Sequence, residues 1–343
     1  MIVALFGTPS PLTYLAINML RAIVQVTCGE HDMIGVNNVA DLRGAWPKRD
    51  QKRPAVVVAS DMPSPDFIDF MLAAKVPMIL CLERLDEIAA FMVSCRQTDV
   101  MSALRIATQS LSSLERLATD TPAAVLTMGV FPATLSQTLS DLLRFCNADG
   151  GDVVVGNAAK YLGFDGRGDI PLSEFLKKSR KALFPELKAT LDLAAHQIDA
   201  HANLAGAYNQ IAAGRRLSEA YWPACCFLQA DTEGIPALGD LELEGRARFL
   251  CHGPYFHLPA GFWGAELAIE VSESRSENRV GFDVFAGAVL AACATTLPRE
   301  GSLACDLTFC VTDPTTPVEI RIQLLTGAIE GRLRIAGVTL RRL

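Results

Sequence analysis

The chain has 343 residues and a mass of 37.0 kDa, and 50% of it is hydrophobic, enough for two ordinary domains with a core each. This excludes disorder as the main state. Against 38 Asp and Glu stand 31 Lys and Arg, so the net charge is −7 and the pI near 5.3, the wrong sign for a broad grip on phosphate backbones; nucleic acid is not an expected partner.

In chain order, a strand over 1–6 leads through a Gly/Pro/Ser turn into a helix over about 12–24. AVVVA at 55–59 is a second strand, followed by a helix over 65–74. VPMILCL at 76–82 is a third, followed by helices over about 86–96 and 100–118, a strand at 123–128 and a helix at 135–146. Strand runs without polar alternation indicate burial on both faces, as in a parallel sheet flanked by helices, so the fold class expected here is α/β. From about 171 to 213 the pattern is helical only, with Leu172, Phe175, Leu176, Leu187, Leu191, Ile198 and Leu204 at helical spacing. This extension suits an edge of the sheet or self-association into a homo-oligomer. The tract 221–242 carries Pro223, Gly234, Pro236 and Gly239 and is expected to be a linker between a domain at 1–220 and one at 243–343.

Beyond it the period becomes two, in ELAIEV (266–271), VGFDVF (280–285), LACDLTFCV (303–311), VEIRIQL (318–324) and the closing run 331–343. Short strands separated by turn-rich pieces predict an antiparallel, jelly-roll-like sandwich. The ten cysteines lie singly in apolar runs, as Cys81, Cys146 and Cys310 do, or adjacent as Cys225 and Cys226, with no CxxC. That usage fits buried thiols in a reducing compartment better than a disulfide framework or a zinc site. The apolar start has no basic residue ahead of it and is broken by Gly7, Pro9 and Pro11. No segment reaches the roughly 18–20 apolar residues of a membrane span. The expectation is a soluble, cytoplasmic protein that is mature from Met1.

Several residue sets could carry chemistry. The turn 7–13 stands where nucleotide-binding α/β proteins cradle phosphate at a helix N-terminus, but it is not GxxxxGKS/T, and no Lys or Arg precedes Arg21. It offers only backbone amides and the hydroxyls of Ser10 and Thr13, or it is simply a Pro-rich turn capped by Ser10. Asp61, before Met-Pro-Ser-Pro at a strand end, is either a general base or a turn or helix cap. His196 and His201 lie five apart on a helix, poor metal geometry, so no metal is expected. Gly150 and Gly151 fit a loop at least as well as a phosphate site. Tyr255, Phe256, His257, Phe262 and Trp263 cluster near one rim of the sandwich, beside His252, Glu266 and Arg279. Such aromatics either stack on sugar rings or plug the end of the sandwich.

The order of the first segments resembles the sulfotransferase family, a P-loop-type α/β fold. Its first-strand turn P-K/R-S-G-T-T-W-L matches at Pro9, Thr13 and Leu15, and its K-T-H-x-P places Asp61 where the catalytic histidine would be, with Pro63 in register. The family's V-x-R-x-P-x-D-V-x-x-S falls on 81–91, where Glu83 replaces the arginine with Arg84 beside it and Ser94 lies one turn after the serine's position. The resemblance implies 3′-phosphoadenosine 5′-phosphosulfate as cofactor, with Asp61 as base, Ser10 and Thr13 at the 5′ phosphosulfate and Arg84 with Ser94 at the 3′ phosphate. The cation and glycine of the family's turn are both missing. The piece GPYFHLPAGFWGAELAIEV in turn resembles a β-sandwich module of bacterial surface-glycan enzymes. It implies a carbohydrate ligand at Tyr255, His257 and Trp263. Two functions follow: a divergent sulfotransferase of cell-surface polysaccharide, or a non-catalytic carbohydrate-binding or assembly protein docking onto a glycosyltransferase.

Overall fold

A computed structural model describes all residues except 121–124, 129–132, 165–169, 189 and 233. The chain divides into two compact units, one of Met1–Asp99, Ser113–Leu191 and Ile211–Arg215, the other of Val100–Ser112, Asp192–Gln210 and Arg216–Leu343.

The first unit is built on a parallel sheet. Its strands are β1 (Ile2–Gly7), β2 (His31–Gly35), β3 (Ala55–Ser60), β4 (Met78–Cys81) and β5 (Val125–Met128), ordered β2-β3-β1-β4-β5. Ala123 and Ala124, expected in the last strand, lie outside the described residues. β3 is buried along its whole length and β1 from Val3 onward, as the uninterrupted apolar runs require. β2 is not evident from sequence, because HDMIG carries two polar residues and buries only Ile34.

The helices are α1 (Pro11–Cys28), α2 (Val39–Ala45), α3 (Pro65–Ala73), α4 (Leu85–Arg96), α5 (Val100–Thr119), α6 (Leu135–Phe145), α7 (Gly151–Tyr161), α8 (Leu172–Leu183) and α9 (Ala195–Ala212). One core joins Val3, Leu5 and Val57 of the sheet to α1, α6, α7 and α8. The other joins Ala4, Phe6, Val56 and Val58 to α3 and to Leu114 and Leu117 of α5. α1 begins at Ser10, whose Oγ accepts the Thr13 N–H at 3.5 Å, and Pro11 has no N–H to lose at the first helical position. The stretch after Gly150 is a helix rather than a loop, and residues 165–169 that follow it lie outside the described residues. The stretch 171–213 is two helices with a non-helical piece between α8 and α9.

The second unit is antiparallel. One sheet runs β13 (Ala288–Thr296), β12 (Arg279–Ala286), β15 (Val318–Leu324), β9 (Arg248–His252), β7 (Leu228–Gln229), with β10 (Pro254–Phe256) also on β15. The other runs β14 (Gly301–Val311), β11 (Gly261–Ser272), β16 (Arg332–Arg342), β6 (Glu219–Pro223), with β8 (Leu241–Glu242) on β16. The inward sets alternate as the pattern requires: Val280, Phe282, Val284, Ile320 and Ile322 from one sheet, Ala265, Leu267, Ile269, Val271 and Leu340 from the other. Where β11 shifts register against β16, Gly337 has φ +154°, and a Cβ there would lie 2.3 Å from the Tyr221 hydroxyl. The tract expected as a linker supplies β6, β7 and β8. Pro223 ends β6, and Gly234, Pro236 and Gly239 fall between β7 and β8, short strands that pair into the sheets. The helical segments Val100–Ser112 and Asp192–Gln210 also belong to this unit.

Candidate functional site

In the first unit the residues of the sulfotransferase-like pattern are already engaged. Thr13 Oγ1 donates to the Thr8 carbonyl at 2.7 Å, Ser10 Oγ caps α1 and lies 3.3 Å from Thr8 Oγ1, and both residues are fully buried. A Cβ at Gly7 would meet Thr13 Oγ1 at 2.3 Å, so the turn is filled by its own side chains. It does not fit the phosphosulfate end of 3′-phosphoadenosine 5′-phosphosulfate, which needs open amides and free donors.

Asp61 caps no helix; α3 begins at Ser64. Its Oδ2 accepts the Tyr14 hydroxyl at 3.0 Å and lies 3.9 Å from the Arg96 guanidinium, which itself bonds the Tyr14 hydroxyl. Burial, and next the Asp61 charge, push the Tyr14 phenol up. Arg84 is exposed and paired with Asp86 at 3.1 Å, and Ser94 Oγ accepts the Lys188 N–H at 3.2 Å.

Beyond the carboxyl ends of β1 and β4 lies a cavity of about 730 Å³. Its walls include Leu12, Leu15, Glu83, Arg84 and Glu87 from the strand–helix junctions, and Leu176, Lys177, Arg180, Lys181, Phe184 and Lys188 from α8 and the segment after it. This is where open α/β sheets place ligands, since β1 is the strand about which the chain switches from one side of the sheet to the other. Asp61 does not line it. Glu83 does, at 8% exposure. Burial first, and then the charge of Glu87, push its carboxyl up to about 7 against the pull of Arg180.

In the second unit the rim aromatics separate into two groups. Trp263 is fully buried and its indole N–H donates to the Pro259 carbonyl at 2.9 Å; Phe256 is also fully buried, edge-on to Trp222. His257 is buried, and its Nδ1 donates to the Pro314 carbonyl at 3.0 Å. Its backbone N–H donates to Thr108, and its carbonyl accepts from Ser112 and from Tyr208 at 2.6 Å. Burial pushes the imidazole down to about 4. His257 thus joins the sandwich to the α5 and α9 segments of the same unit, and neither His257 nor Trp263 presents a free ring face. Phe262 is exposed, and Glu266 is held by Arg341 at 3.1 Å.

Tyr255 faces elsewhere. With Asp231, Arg248, Phe249, His252, Glu319 and Arg321 it lines a hollow of about 400 Å³ on the sheet formed by β9, β10, β12 and β15. Its φ of +68° is unusual for a bulky residue. Arg105 holds that conformation, its Nε donating to the Pro254 carbonyl at 3.0 Å and its guanidinium 5.1 Å from the Tyr255 ring. The Tyr255 hydroxyl lies 2.7 Å from His252 Nδ1, and Glu319 lines the same hollow beside it, so polar groups run along one wall. Burial raises the Tyr255 phenol and the Glu319 carboxyl and lowers the His252 imidazole.

On the floor Arg321 makes a two-point pair with Asp283 at 2.7 and 3.2 Å and stacks 4.1 Å from the Phe285 ring. Phe249, 43% exposed, stands 5.4 Å from the same guanidinium. Gly281 on β12, and Ala292 and Ala294 of β13, which pair with Asp283 and Gly281, leave the neighbouring surface low. Sequence reasoning reached only Tyr255 and His252. Arg321 and Glu319 could have been found from their parity in VEIRIQL, opposite to the buried Val318, Ile320, Ile322 and Leu324. Among the described residues no group of His, Cys, Asp and Glu is placed to hold a metal ion, and no helix is long and apolar enough to cross a membrane.

No family model matches the chain, and no curated protein does. Parts of it superpose on solved structures of low identity. A structure described as the xylan-binding module CBM15 is 14% identical, covering 30% of this chain and 97% of its own at a TM-score of 0.23. The CBM36-1 domain of a multidomain xylanase from the hindgut metagenome of Trinervitermes trinervoides is 10% identical, covering 36% and 98% at 0.25. TmCBM61 in complex with β-1,4-galactotriose is 12% identical, covering 34% and 81% at 0.24. Overlaps of this size and score carry no argument about ligand or activity.

Proposed function

We propose that the second unit is a carbohydrate-binding module whose ligand lies on the Phe249–Tyr255 face. The single observation that carries this reading is an open sheet surface on which exposed and half-buried aromatic rings stand beside polar groups already fixed by their neighbours. Sugar rings present C–H faces that pack on π systems, and hydroxyls that need donors and acceptors held in place. Phe249 and Tyr255 provide the first; the His252–Tyr255 hydrogen bond, with Glu319 beside it, and the Arg321–Asp283 pair provide the second. Because Arg321 is neutralised by Asp283 and Arg248 by Asp231, the face is suited to neutral sugars and does not favour a polyanion.

No observation favours the sulfotransferase reading: the turn is closed and Asp61 is held by Tyr14 and Arg96. The place of this binding in surface-polysaccharide synthesis, alongside a glycosyltransferase, belongs to the proposal.

The test is retention of the full chain on an array of neutral plant, bacterial and algal oligosaccharides. Wild-type protein is expected to retain on a subset, with Phe249→Ala and Tyr255→Ala each weakening it about tenfold, the loss of one stacking contact. Equal retention of wild type and both variants, or none by wild type, would refute the assignment.

A further inference from the structure

The cavity of the first unit is not used by carbohydrate recognition on the sandwich, and its walls have two chemical halves. Leu12 and Leu15 come from the buried face of α1, joined by Leu176, Phe184 and Leu187. The other half is cationic. α8 buries Leu172, Phe175 and Leu176 against the core, and helical spacing then puts Lys177, Arg180 and Lys181 on the adjoining face. Lys188 follows from the next segment, and Arg84 from the start of α4.

Two of these cations are satisfied: Arg180 is ion-paired with Glu87, and Arg84 with Asp86. Lys177, Lys181 and Lys188 have no carboxylate partner among the described residues. The remaining wall carboxyl, Glu83, faces Glu87, Asp86 and Arg180, and its raised pKa limits the negative charge it brings near neutral pH. The cavity therefore carries an excess of positive charge beside an apolar wall, within a chain of net charge −7.

We propose that this cavity binds a phosphate monoester of an apolar or aromatic group, the phosphate on Lys177, Lys181 and Lys188 and the apolar part against Leu12, Leu15 and Phe184. Lysines are mobile point charges that suit a tetrahedral dianion approached from several sides. A volume of about 730 Å³ is in the usual range for a small-molecule site and exceeds what an inorganic anion would fill. The three lysines belong to α8 and the segment after it, and none of them is among the residues of the sulfotransferase-like pattern, Ser10, Thr13, Asp61, Arg84 and Ser94.

Isothermal titration of the full chain with 1-naphthyl phosphate, with 1-naphthol and inorganic phosphate as the two halves, tests this. The ester is expected to bind at least tenfold more tightly than either half. A Lys177→Ala, Lys181→Ala, Lys188→Ala triple variant should weaken it tenfold or more while leaving the melting temperature unchanged, since all three side chains are on exposed residues. No binding of the ester at millimolar concentration overturns the proposal. So does an affinity untouched by the triple variant, or equal affinity for the ester and either half.

Discussion

Burial of the Glu83 carboxyl makes stability depend on pH in a defined direction. Its pKa of about 7 in the folded chain exceeds the ordinary value of 4.5, so between these limits the folded state keeps a proton that the unfolded state has released. Stability is then lost as pH rises through that window, and the penalty is complete above it. Glu83→Gln is expected to raise stability at pH 8 by on the order of 1–3 kcal/mol and to leave it unchanged at pH 4, checked by calorimetric melting at both values. An equal change at both pH values would show that charge burial is not the cause.

Trp263 provides a second test at this scale. Its ring is enclosed and its N–H is satisfied, so Trp263→Ala should cost about 3–5 kcal/mol as a core cavity. Denaturant melting measures this; a cost below about 1 kcal/mol would mean that the ring is not packed as described.

At the scale of elements, β13 and β14 lie at the free ends of the two sheet orders, and each carries one cysteine of a close pair. Cys293 Sγ and Cys305 Sγ are 2.8 Å apart and only half-buried. Treatment with oxidised glutathione is expected to join them. One thiolate attacks the reagent's disulfide and the second displaces the mixed disulfide, releasing two reduced glutathiones and closing a loop of 12 residues. Closing such a loop stabilises by about 3 kcal/mol in the chain-entropy view. Burial, then the Cys293 thiol, push Cys305 up to about 12, so the reaction should quicken as pH rises. Peptide mapping by mass spectrometry reads the link, and Cys293→Ser should abolish it.

Much at this scale was legible in the sequence. Period-two runs marked β11, β12, β14, β15 and β16, and uninterrupted apolar runs marked β1, β3 and β4. Short elements escaped because three to seven residues with mixed polarity, as in β2 and α2, carry no periodicity, and because Pro and Gly between the short strands β6, β7 and β8 look like those of a connector. Trp263 could have been placed correctly, since it shares parity with Ala265, Leu267, Ile269 and Val271, all inward. Its appeal as a sugar platform came from residue type alone. For Tyr255 the type was informative, but the partners that shape its surroundings lie on strands far away in sequence, and pairing register is not written in any single strand.

At the scale of the whole molecule, the two units are discontinuous in sequence, each taking pieces of the helical region. A composition change near residue 220 could locate the start of the sandwich, but not the helical segments Val100–Ser112 and Asp192–Gln210 that belong with it, because helix periodicity does not tell which neighbour a helix packs on. Net charge misleads in the same way. A value of −7 describes the surface average and conceals both the lysines around the first unit's cavity and the neutralised arginines of the Phe249–Tyr255 face. The central claim is that this face, and not the aromatic rim, meets carbohydrate. It is tested most directly by hydrogen–deuterium exchange of the full chain, with and without an oligosaccharide retained on the array. Protection is expected over β9, β10 and β15, with no change at 257–263 or in the first unit; protection confined to 257–263, or to the first unit, would contradict it.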